Sequence, residues 1–152
     1  MPGNPPSPLR KLRPDAGIAA IEFAVMAPLL LALILSIIEL GLATRDSMRA
    51  QSAAATGAYY AMQKGFNATN ISSAVVNGTG AVGLSASPAP TLFCGCPTTT
   101  GISTATCGAI CTGGIPARQY VKVNASISRT SILNAHLGLP STITRQSIVR
   151  LP

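Results

Sequence analysis

An α+β architecture is predicted for this chain of 152 residues, with a long N-terminal helix packed on a small antiparallel C-terminal sheet. Three observations carry that expectation. Apolar residues concentrate over positions 18–43, and positions 24–38 carry no charge at all. The next stretch, 44–64, is rich in alanine and free of proline, so a helix can run on through it. Alternating, β-branched segments occur only in the C-terminal third, at 119–128 and 142–151.

Residues 1–17 hold five prolines and the basic group Arg10, Lys11 and Arg13, a composition that stays extended and polar and reads as a leader. The apolar run that follows spans roughly 39 Å as a helix at ~1.5 Å per residue, enough to cross a hydrocarbon layer of ~30 Å. A cleaved secretory signal would have a shorter apolar stretch ending in a small-x-small site, whereas Glu39 stands where that end should be. A transmembrane helix over 18–43 is therefore expected. The basic residues favour a cytoplasmic N-terminus, with Arg10, Lys11 and Arg13 on one side against Arg45 and Arg49 on the other. Pro28 removes one N–H inside the span and is expected to kink it. Glu39, at the outer end, is expected to reach interfacial water.

Glu22 asks for a different explanation, because a carboxylate at the membrane edge costs a few kcal/mol. It lies one helical turn after Ile18, so cleavage after Gly17 would place a new ammonium group near it. The plain alternative is an acid that complements the start of the helix dipole. Gly17, Ile18, Glu22 and Phe23 together resemble a type IV prepilin cleavage signal. The segments Glu22-Phe23-Ala24-Val25-Met26-Ala27-Pro28 and Ile37-Ile38-Glu39-Leu40-Gly41 resemble the TadE family of minor pseudopilins of the tight-adherence (Flp, type IVb) pilus machinery. The C-terminal Gly138-Leu139-Pro140 and the segment after it resemble that family as well.

The resemblance implies a pseudopilin-like fold and processing after Gly17 by a prepilin peptidase, with Glu22 serving recognition or register. It implies partnership with other pilins or pseudopilins and with the Tad assembly platform, in support of pilus biogenesis and surface adherence. The organisation expected is a cleaved leader (1–17), a helix in the bacterial inner membrane (18–43) and an exported domain (44–152). That domain would hold a helical stem (44–64), a loop-rich middle and C-terminal strands. Gly65 is expected to stop the stem, residues 71–76 to form a short helical turn, and residues 91–94 a short strand.

Cys94, Cys96, Cys107 and Cys111 form an even set at short spacings. In an oxidising exported compartment they are expected to form two disulfides, with Cys94 or Cys96 joined to Cys107 or Cys111 more easily than in the tight Cys94 to Cys96 ring. Zinc is the rival, although the spacing departs from paired knuckles. The lone histidine, His136, has no carboxylate to orient it, which argues against thiol catalysis.

All four acids, Asp15, Glu22, Glu39 and Asp46, lie in the first third of the chain, and residues 47–152 have no carboxylate side chain. General acid/base pairs, carboxylate nucleophiles and oxygen cages for magnesium or calcium need such groups, so no enzyme, catalytic residue, metal or cofactor is expected. The net charge is +7, and the basic residues Lys64, Arg118, Lys122, Arg129, Arg145 and Arg150 are spread thinly, with no cluster interleaved with aromatic stacking residues, which disfavours nucleic acid. The alternative to the pilin reading is a single-pass envelope protein that keeps its leader and binds a partner through a disulfide- or zinc-stabilised exported domain.

Overall fold

A computed structural model describes residues 15–130 and 140–152, in the α+β class predicted. The chain forms two compact units, Met1–Ile38 and Glu39–Pro152. Helix α1 is Asp15–Lys64, and its part before Glu39 belongs to the first unit. There the apolar side chains are exposed, among them Phe23, Leu29, Leu33 and Ile37. The hydroxyl of Ser36 donates to the Ala32 carbonyl at 2.8 Å, so the polar group inside the apolar run is satisfied within the helix itself.

Pro28 lies inside α1. Gly65 ends the helix as expected, at φ 78°, with its N–H donating to the Ala61 carbonyl at 2.9 Å. Helix α2, Ala68–Gly78, is longer than the turn expected at 71–76. Its start is set by Asn67, whose side chain accepts a 3.0 Å bond from the Asn70 N–H and so satisfies one of the orphan donors of the first turn. Ile71 and Val75, one turn apart, bury its apolar face.

Five strands follow: β1 Leu84–Ser85, β2 Thr91–Thr98, β3 Gly101–Thr104, β4 Arg118–Ser128 and β5 Thr142–Arg150. β4 is the centre of the antiparallel sheet. Along one edge it pairs with β5 from Tyr120↔Arg150 to Ser128↔Thr142. Its other edge is shared end to end, by β2 over residues 118–122 and by β1 at Ser126 and Ile127. β3 adds outside β2. The strands at 119–128 and 142–151 were expected, while β1 and β3 were not, and β2 runs four residues beyond the segment expected at 91–94. The connection carrying His136 lies outside the described residues, apart from Pro140.

The core forms where Ala50, Ala53, Ala54, Ala58 and Ala61 of α1 meet Ile71 and Val75 of α2 and Val121, Val123, Ala125 and Ile127 of β4. Small side chains recur at helical spacing, so α1 can come close to its neighbours. Tyr120 and Asn124 on the opposite face of β4 are also buried. Phe93 stacks on Tyr120 with ring centroids 5.8 Å apart, and Asn124 Nδ2 donates to the Pro88 carbonyl at 3.2 Å. The alternation read from the sequence therefore does not separate a dry face from a wet one; the central strand is covered on both.

Gly57 marks the closest approach. A Cβ there would lie 2.5 Å from Val75 Cγ2 and 2.9 Å from Val123 Cγ1, both on fully buried, β-branched side chains that cannot swing away. Gly57→Ala would gain up to ~1 kcal/mol of helix propensity, but overpacking costs ~1–3 kcal/mol. The expected outcome is a lower unfolding midpoint, restored by adding Val75→Ala; thermal melts of the full chain in detergent check both.

Candidate functional site

Three groups of residues bear on function. The first is the N-terminal part of α1. Gly17, Glu22 and Phe23 all lie on this helix and are exposed, Phe23 at 71%, and a side chain at Gly17 would meet nothing within 4 Å. Ile18 belongs to the same helix, one turn before Glu22.

The second group was not foreseen. Glu39 does not reach water; it is 6% exposed and is held by Arg129, ninety positions later in the chain. Arg129 follows the last residue of β4, and its backbone N–H donates to the Ser141 carbonyl at 2.9 Å, fixing it beside the start of β5. From there Nη2 donates to Glu39 Oε2 at 2.8 Å and to the Glu39 carbonyl at 3.3 Å. The two side chains are only 5% and 7% exposed. Burial makes the partner obligatory, because either charge left alone in this setting would bear an uncompensated desolvation penalty. The ion pair thus ties the end of the central strand to α1 at the residue where the second unit begins. A carboxylate closing an apolar run was the only visible signal; its partner was hidden among the dispersed basic residues.

The third group is the cysteines. Cys94 is joined to Cys107 and Cys96 to Cys111, with Cα atoms 5.1 and 5.5 Å apart. All four sulfurs are consumed in these bonds, so they offer no thiolate to zinc or to thiol chemistry. Cys94 and Cys96 flank Gly95 on β2, where a Cβ would meet the Ser103 carbonyl at 2.8 Å, so β2 and β3 close up between the two bridges. Neither Glu39 nor Arg129 takes part in these bridges.

Among the described residues one helix is long and apolar enough to cross a membrane. The most apolar 18-residue window of Ala19–Lys64 has a mean hydropathy of 2.5, and none of that window is buried. An exposed apolar surface of this extent requires a cover of lipid or protein. The features define a class: a chain with one apolar helix compatible with a single-pass membrane protein, and an α+β unit stapled by two disulfides. Over residues 17–58 the chain matches the TadE-like protein family. No curated protein and no solved structure matches the chain.

Proposed function

We propose that the chain is a non-enzymatic minor pseudopilin that supports Flp pilus biogenesis and surface adherence. In this reading the leader over residues 1–17 stays cytoplasmic and is removed after Gly17 by a prepilin peptidase. The apolar helix anchors the product in the inner membrane, and the disulfide-bonded unit lies on the exported side, in contact with other pilins and the assembly platform. Glu22 pairs with the new Ile18 ammonium, in its own chain or a neighbouring subunit, which offsets the cost of an acid at the membrane edge. The observation that carries the reading is the TadE-like match, which begins at Gly17.

The test is intact mass and N-terminal sequencing of the full chain after co-expression with a prepilin peptidase. A product beginning at Ile18 is expected. A chain that keeps its proline-rich leader overturns the pseudopilin reading in favour of a plain anchored envelope protein. Glu22→Ala is expected to leave membrane insertion intact while reducing pilus assembly severalfold, scored by shear-released filaments.

A further inference from the structure

The unit Glu39–Pro152 contains an open groove of about 580 Å³ between α1 and β5, lined by Ala43, Thr44 and Ser47 on the helix and by Thr142, Ile143 and Arg145 on the strand. Arg145 stands opposite Ala125 in the sheet register, and Ala125 is fully buried in the core, so the arginine leaves the sheet on the side where α1 packs. Its Nε and Nη2 donate to Ser47 Oγ at 3.0 and 2.7 Å, which lays the guanidinium across the groove. Nη1 makes no hydrogen bond among the described residues. Thr44 donates its hydroxyl to the Leu40 carbonyl at 2.9 Å and presents only acceptor capacity, so the side-chain donors on the α1 side of the groove are Arg145 and Ser47.

Two features select the ligand. Planar, fixed guanidinium donors beside hydroxyls suit the oxygens of a phosphate. The charge around them is one-sided as well, because Arg45 and Arg49 lie on the same stretch of α1 against Asp46, and no carboxylate side chain occurs from Ser47 onward. Position along the chain then selects the source. Ala43 is the last residue of the apolar run, so in an anchored chain Thr44 and Ser47 occupy the first turn beyond the hydrocarbon layer, the level of lipid phosphates.

We propose that this groove binds the headgroup of an anionic phospholipid, with Arg145 as its principal phosphate ligand and Ser47 as the residue that orients it. The proposal rests on the membrane-anchored reading. The apolar wall of Ala43 and Ile143 accommodates the glycerol end of the headgroup, and the bound lipid holds β5 against the membrane-proximal turn of α1.

The full chain is first floated with vesicles of phosphatidylcholine alone and of phosphatidylcholine with phosphatidylglycerol. It is then put in detergent with equal amounts of the two lipids, and retained lipid is read by native mass spectrometry. Retention of phosphatidylglycerol over phosphatidylcholine is expected, falling about fivefold in Arg145→Gln and less in Ser47→Ala. Arg118→Gln, the same charge change at the far end of β4, should leave the preference unchanged. Failure to float with either vesicle overturns the anchored reading and this proposal with it. Flotation with both but no lipid preference overturns the groove alone, as does an equal loss in Arg118→Gln. Displacement of the lipid by millimolar inorganic phosphate would assign the groove to free phosphate instead.

Discussion

Glu39→Ala is expected to destabilise the unit Glu39–Pro152 by about 3–5 kcal/mol, because it strands the Arg129 guanidinium in a site that excludes water. Arg129 already has one buried nitrogen, Nη1, with no hydrogen-bond partner among the described residues, so its remaining bonds to the carboxylate and carbonyl of Glu39 matter more. Arg129→Ala should also destabilise the unit, because it takes a charge-assisted hydrogen bond away from the buried carboxylate. The double replacement Glu39→Leu with Arg129→Met removes both charges at nearly conserved volume and should recover most of the loss, since an apolar pair often matches or exceeds a buried ion pair. Urea unfolding of the full chain in detergent, followed by circular dichroism, measures all three. Salt provides a further check. An exposed pair weakens as ionic strength rises, whereas this one should be nearly insensitive between 0.05 and 0.5 M, on the order of the range where screening of surface charges is strong. A loss below ~1 kcal/mol in Glu39→Ala would mean that the pair is solvated and the clamp does not exist.

The same ion pair shows where the sequence stops being legible. α1 could be read along its whole course because its signals are local: an unbroken apolar run, then alanines without proline, then Gly65. β4 and β5 were legible for the same reason, through β-branched residues at short spacing. α2 was under-read because Asn67, Asn70, Ser72 and Ser73 look like loop residues until the capping bond from Asn70 N–H to the Asn67 side chain is seen. β3, Gly101–Thr104, has almost no strand signal of its own and is recruited by pairing with β2. Arg129 was read as one more dispersed surface charge because nothing near it in the chain announces a partner ninety positions earlier. Burial of the Tyr120 face of β4 has no local signal for a related reason, since Phe93 and the Pro88 carbonyl that cover it arrive from distant segments. Cysteine spacing narrowed the disulfide partners but left the pairing open, and only the placement of both β2 cysteines against residues 107 and 111 decides it.

The bridges carry the second large effect, because the segment they hold has little else to order it. Ile110 is 72% exposed and Ile115 49%, so residues 105–117 contribute almost no apolar burial beyond Cys111. A few backbone bonds are present, such as Ala105 N–H to the Cys94 carbonyl at 2.9 Å and Ala117 N–H to the Ala109 carbonyl at 2.8 Å. Each disulfide closes a short loop, with sequence separations of 13 and 15, for which the chain-entropy account gives about 3 kcal/mol apiece. The two loops overlap, so removing both should cost less than the sum, since the second bond closes a ring whose ends the first already holds near each other. Replacing Cys94 and Cys107 together, or Cys96 and Cys111 together, by serine is expected to lower stability by about 2–4 kcal/mol. Peptide mapping of the unreduced full chain should recover the pairs Cys94–Cys107 and Cys96–Cys111. Reduction should expose residues 105–117 to limited proteolysis while the helical circular dichroism signal persists, because the alanine face of α1 packs on Val121 and Val123 without help from either bridge. If reduction instead collapses the helix signal together with the loop, the sulfurs hold the whole α+β unit and not only its outer edge.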